Sequence, residues 1–135
     1  MPLTPQPEHV SPGIDAQSLY DLALDALADG DVSTAVARFR ASIAADPAFA
    51  DARHGLIHAL RDAGEFETAI TEARALIADY PDDPLGYTSL SILLQQQNRI
   101  EEAEAAALQA KLAGWKQQLR QPSGAPSFVP ERNEP

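Results

Sequence analysis

Cysteine is absent from the 135 residues. Disulfides, thiol nucleophiles and thiolate metal sites are excluded with it, so stability has to come from packing. Aromatic residues are scarce, with four Phe, three Tyr and one Trp. Much of the 44% apolar content is alanine, which favours helix and adds little bulk, so the expected core is thin and made of closely approaching helices. No apolar run approaches the ~20 residues that a membrane span needs. The opening MPLTPQPEHVSPG has neither a charged leader segment nor an apolar one. The expected setting is therefore cytoplasmic, without membrane insertion. Positive charge is short as well: ten basic residues against twenty acidic ones give −10. That balance repels phosphate backbones and counts against nucleic acid as a partner.

Catalytic signatures are also missing. The seven glycines form no GxGxxG or GxxxxGK pattern, and no serine sits in GxSxG. His54 and His58, in RHGLIH, stand four apart and so share one helix face, where two metal bonds are geometrically possible. A zincin needs HExxH with a glutamate as base, and this chain has Gly55 in that place. Asp51 and Asp62 lie about a turn to either side, yet a structural zinc site takes four protein ligands. His54 and His58 are thus weak metal candidates, more simply read as two polar surface residues. Asp21, Asp25 and Asp29 form an i, i+4, i+8 row that reads as a solvated face. Glu101, Glu102 and Glu104 open the last helix, where carboxylates suit the positive end of the helix dipole. No cofactor and no enzymatic activity are expected.

The chain does contain a beat. LADGDVSTAVARFRASIAADP, from residue 27, returns 34 residues later as RDAGEFETAITEARALIADYP. Rows of 34 begin at Ala16, Ala50 and Pro84. Leu22, Leu56 and Leu90 share a column, and Ala26, Leu60 and Leu94 share another four residues on, the apolar face of a first helix. Gly30, Gly64 and Asn98 follow as stop signals, residue types that tolerate the left-handed conformation ending a helix. Val32, Phe66 and Ile100 come next, as plugs beneath the turn. Ala35, Ala69 and Ala103 open a second helix, where a methyl group permits close antiparallel packing. Asp46-Pro47 and Tyr80-Pro81 end the first two rows, because proline cannot continue the helix. Four prolines in the first 14 residues and four in the last 14 mark expected disordered arms at 1–14 and 121–135, leaving 15–120 as the folded domain.

These Leu, Gly, Ala and Pro columns resemble tetratricopeptide repeats over roughly residues 16 to 117, with units at 16–49, 50–83 and 84–117. The resemblance implies an all-α fold, a right-handed α-α superhelix or solenoid of three helical hairpins. Copies stack because one hairpin cannot bury its own apolar face. Some positions depart from the family pattern. The small-residue column holds Ala23 and Ser91 but Ile57, and the large-residue column holds Phe39 but Ala73 and Ala107.

The resemblance further implies a concave groove lined by the first helices. Its positions here are Tyr20, Leu24, Leu27 and Ala28, then His54, His58, Arg61 and Asp62, then Thr88, Ile92, Gln95 and Gln96. Chaperone-binding members clamp a carboxylate with lysine and asparagine there; Tyr20 and Leu24 stand in those places, so that activity is not carried over. A groove with apolar ends suits a peptide or helix bearing apolar anchors. Alternatively, these side chains only cover the seams between helices.

The last helix has no terminal proline and is expected to run from Ile100 to about Arg120, ~30 Å at 1.5 Å per residue. Ala103, Ala107 and Ala110 are expected to face inward. Opposite them Leu108, Leu112, Trp115 and Leu119 recur at spacings of four, three and four, in a column that holds Arg40 and Arg74 earlier. Burying all four is worth roughly 6 to 10 kcal/mol before association costs. The stripe is expected to dock a second copy of the chain, another protein, or the tail through Phe128 and Val129; as an alternative, Trp115 and Leu119 fold back as a cap. The expected function is a non-catalytic adaptor or assembly factor that binds a protein or peptide. The alternative is a structural subunit of a larger complex whose arms order on contact.

Overall fold

A computed structural model describes residues 14–120. The expected arms and Phe128 and Val129 lie outside the described residues, Ile14 excepted. Six α-helices and no strand occur among the described residues: α1 Ala16–Ala28, α2 Val32–Ala45, α3 Ala50–Asp62, α4 Phe66–Asp79, α5 Pro84–Gln96 and α6 Ile100–Arg120. By compactness the chain divides at Glu72/Ala73, within α4. One unit holds α1, α2, α3 and the start of α4; the other holds the rest of α4, α5 and α6.

The 34-residue beat is also a hydrogen-bond beat. Gly30 and Gly64 both have φ of 79°, and Asn98 has φ of 60°, the left-handed conformation in which glycine and asparagine are least strained. Around each the same pair of bonds closes the helix. Asp31 N donates to Ala26 O at 2.8 Å and Gly30 N to Leu27 O at 3.0 Å. Glu65 donates to Leu60 and Gly64 to Arg61, and Arg99 to Leu94 and Asn98 to Gln95, at 2.8 to 3.0 Å. Each is the Schellman arrangement that satisfies carbonyls a helix end would otherwise leave open. Starts are capped too: Asp15 accepts from Ser18 N at 2.8 Å, Asp31 from Thr34 N at 3.3 Å, and Asp83 from Leu85 N at 3.0 Å ahead of Pro84. The Ser18 amide first of all holds the Asp15 carboxyl below its ordinary range, and the Thr34 side chain first, with the Thr34 amide after it, does the same for Asp31.

In the first unit α1 packs on α2 and α2 on α3. Phe39 is fully buried, and Ala23, Ala35, Ala52 and Leu56 are core residues of the same unit. The Phe39 ring lies where a side chain at Gly55 would stand, so the glycine lets α3 approach. Ser42, also fully buried, returns its hydroxyl hydrogen to Ala16 O at 2.7 Å. In the second unit α5 packs on α6 around Leu90, Leu93, Leu94, Ala103, Ala106 and Ala113, and Ser91 donates to Ala103 O at 2.8 Å.

Three expectations about facing are corrected. Leu22 is 39% exposed, whereas Leu56 and Leu90 in its column are buried. Ala107 is exposed, whereas Phe39 and Ala73 in its column are buried; the buried alanines of α6 are 103, 106 and 113, with Ala110 half-buried. Ile100 is 44% exposed, unlike the half-buried Val32 and Phe66. All three lie on terminal helices, Leu22 on α1 and Ala107 and Ile100 on α6, and among the described residues no helix precedes α1 or follows α6.

Candidate functional site

In the first unit Tyr20, Leu24, Leu27 and Ala28 fall on one side of α1, at spacings of four, three and one. Tyr20 serves packing: its half-buried ring lies 5.9 Å from that of Phe39 and 5.3 Å from that of Phe49, tilted 60° and 57°. Phe49 immediately precedes α3, so this aromatic trio ties the α1 face to the start of α3. Leu24 is 41% exposed, Ala28 is exposed and Leu27 half-buried. An apolar strip with a rigid aromatic edge results.

On α3 the two histidines differ. His54 is half-buried with its Nε2 sealed from solvent. His58 is exposed, and its Nδ1 stands 3.2 Å from the guanidinium Nη2 of Arg61. A guanidinium can only donate, so His58 Nδ1 accepts and the ring proton of the neutral form sits on Nε2. Desolvation of the ring is the first cause holding the His58 pKa below its ordinary value; Arg61 and His54 act the same way, and Asp62 opposes them. No three His, Cys, Asp or Glu side chains converge as metal ligands among the described residues. What α3 presents here is a neutral imidazole beside a cationic guanidinium.

The second unit carries Thr88, Ile92, Gln95 and Gln96 on α5. All four are exposed, Ile92 to 37%, and the Thr88 hydroxyl donates back to Pro84 O at 3.0 Å. On another side of this unit an open cleft of about 280 Å³ has Tyr87, Leu90 and Leu94 of α5 on one wall and Ala105, Ala106 and Gln109 of α6 on the other. Arg74 and Glu102 bridge it at 3.5 Å. Glu102 also accepts from Arg99 at 3.0 and 3.1 Å; Arg99 first, and Arg74 after it, keep its carboxyl below the ordinary range.

α6 is 21 residues long, against 13 or 14 for the other helices. Its far end is held by a contact that no sequence motif announces. Asp82, just ahead of α5, accepts from Arg120 at 2.7 Å and pairs with Lys116 at 3.7 Å. Along the intervening length Leu108 is 53% exposed, Leu112 37%, Trp115 55% and Leu119 86%. At 100° per residue the four fall within about 60° of one another, on the side opposite the buried alanines. Trp115 and Leu119 are thus presented outward among the described residues. Earlier positions of the Leu108 column, Arg40 and Arg74, are exposed as expected.

A family profile described as tetratricopeptide repeat matches residues 26–93. No curated protein sequence matches the chain. Among solved structures, the crystal structure of MamA superposes with a TM-score of 0.71 at 21% identity, over 78% of this chain and 61% of that one. The chain therefore spans less than two thirds of MamA. The Yersinia enterocolitica type III secretion translocator chaperone SycD, in an alternative dimer, gives 0.70 at 20% identity over 85% and 83% of the two chains. The CopN-Scc3 complex gives 0.67 at 19% identity over 89% and 74%. At such identities the likeness is one of fold.

Proposed function

The chain belongs to the tetratricopeptide repeat family, and on that premise we propose that it is a non-catalytic protein-interaction module, an adaptor or assembly factor holding segments of other proteins. The observation that carries this reading is the outward apolar stripe of α6. Its four side chains expose a little more than two whole side chains' worth of surface. Covering that surface is worth about 3 to 7 kcal/mol before association costs, a gain the described fold leaves unused. Apolar patches of this kind mark interaction surfaces.

A second surface supports the same reading. The α1 face offers Leu24 and Leu27 as apolar contacts, and α3 offers His58 and Arg61 as polar ones, a combination that suits a helical or extended peptide with apolar anchors. Thr88, Ile92 and Gln95 give the second unit a smaller surface of similar character. Proteins of this fold include a translocator chaperone and a member of a protein complex; for this chain that is an analogy of fold, and the exposed residues carry the site.

The test is affinity capture from an extract of cells that make the protein, comparing the wild-type chain with Leu24→Glu and Trp115→Glu. Both positions are surface-exposed, so the variants are expected to fold. A protein retained by the wild type and lost with one variant assigns the surface. Retention of no protein above bead background, in extracts and at chain concentrations spanning the cellular range, overturns the interaction reading.

A further inference from the structure

We propose that α6 pairs with α6 of a second copy, antiparallel, so that the chain is a homodimer closed through the Leu108–Leu119 stripe. The inference rests on the reading of the chain as an interaction module and names the occupant of one of its surfaces.

Spacing comes first. Leu108, Leu112, Trp115 and Leu119 follow the four-three-four rhythm that keeps a seam facing a partner helix. Antiparallel pairing about the stripe's midpoint sets Leu108 against the partner's Leu119 and Leu112 against the partner's Trp115. Every large apolar side chain of the stripe then meets another one. Beside the seam, Lys111 lies toward the partner's Gln118 and Lys116 toward the partner's Gln109, so no like charges stand directly opposed across the flanks.

Charge favours the same face. Two copies at −10 each repel one another over most of their surface. The segment from Ala105 to Arg120 holds three of the chain's ten basic residues and none of its twenty acidic ones. Two such chains approach there at the least electrostatic cost. Lys116 and Arg120 are drawn toward Asp82, which leaves the apolar line free between the charges.

Area sets the strength. The exposed parts of the four side chains offer on the order of 400 Å² per copy, within the range of functional apolar patches. With the flanking Ala105, Gln109, Lys111 and Gln118 the pair buries roughly 1,000 to 1,200 Å², the lower edge of specific interfaces. The helix is already formed and tied at its end by Asp82, so little ordering is needed on contact. A dimer with a dissociation constant of about 1 to 100 µM follows.

Analytical ultracentrifugation of the full chain over about 1 to 500 µM should show the mass rising from 14.5 kDa to twice that value and no further. Trp115, the only tryptophan, should shift its emission to shorter wavelength over the same range. Leu112→Glu with Trp115→Glu should raise the dissociation constant at least about 100-fold, with circular dichroism confirming the fold. Because the chain lacks cysteine, orientation is directly readable: Leu108→Cys mixed with Leu119→Cys should form a disulfide between the two, and neither should do so alone. A disulfide in each variant alone overturns the antiparallel register. A wild-type chain monomeric at 500 µM, or an open polymer insensitive to the glutamates, overturns the dimer. So does a monomer that dimerises once Phe128 and Val129 are changed to alanine in the full chain, which gives the stripe to the tail. None of these failures touches the Leu24 capture experiment, which tests the interaction reading independently.

Discussion

Replacing Gly55 and Gly114 by alanine adds the same methyl group to two helices, and the structure assigns the two changes opposite signs. In a helix interior the exchange is worth about 0.5 to 1 kcal/mol in favour of alanine, because glycine loses more backbone freedom on folding. At Gly114 no atom lies within 4 Å of the added carbon, so Gly114→Ala should gain that full amount. At Gly55 the added carbon would stand 2.6 Å from Cζ and 2.8 Å from Cδ1 of Phe39. Ordinary carbon contacts need about 3.5 to 4 Å, so either the ring or α3 must move by about 1 Å. The ring has nowhere to go, since Phe39 is 0% exposed and backed by Tyr20 at 5.9 Å. Overpacking of this kind costs about 1 to 3 kcal/mol. After the helix gain is set against it, a net loss of up to about 2.5 kcal/mol is expected. Urea titration followed by circular dichroism reads both variants as shifts in midpoint at constant slope. Phe39→Leu in the Gly55→Ala background should recover part of the loss, with a coupling of about 1 kcal/mol between the two sites. A Gly55→Ala midpoint at or above wild type would refute the reasoning that this contact closes α2 on α3.

Two further outcomes concern charge. His58 has its pKa held below 6.5, first by desolvation and then by Arg61, so the unfolded chain takes up a proton before the folded one as pH falls. The His58 contribution to stability should be constant above the ordinary imidazole range and decline from about pH 6.5 down to the lower folded-state value; His58→Gln should remove that step, and an NMR titration placing His58 at 6.5 or higher would contradict it. Asp82 has a pKa below 3.8, with the Arg120 hydrogen bond as the first cause. Its contribution is therefore present above that value and lost as pH falls below it. Asp82→Asn should speed amide exchange over residues 114–120 while leaving 103–110 unchanged, and uniform protection along α6 in the variant would show that Asp82 does not hold its end.

Much of the fold was legible because it is written in local chemistry. Gly30, Gly64 and Asn98 mark three helix ends, since few residue types accept a positive φ, and all three adopt it. Asp46-Pro47 and Tyr80-Pro81 mark two more, and α6 runs to Arg120 where no such proline intervenes. Exposure was less legible. Leu22, Ala107 and Ile100 obey the same periodicity as their buried counterparts, yet they lie in the first and last hairpins, where no described neighbour covers them. Spacing places Tyr20 beside Leu24; the contacts of its ring with Phe39 and Phe49 arise between elements far apart in the chain and leave no trace in spacing. The Asp82–Arg120 contact spans 38 residues and likewise has no local signature.

By itself, then, the amino-acid order determined where helices start and stop, the 34-residue unit, and the stripe along α6, because capping, backbone strain and helical period act within a few residues. Only the tertiary structure decided which apolar residues are covered, that Phe39 requires a glycine at position 55, and that the end of α6 is tied down. Those outcomes depend on which surfaces meet across tens of residues, and a repeating sequence presents the same face whether or not a neighbour is there to cover it.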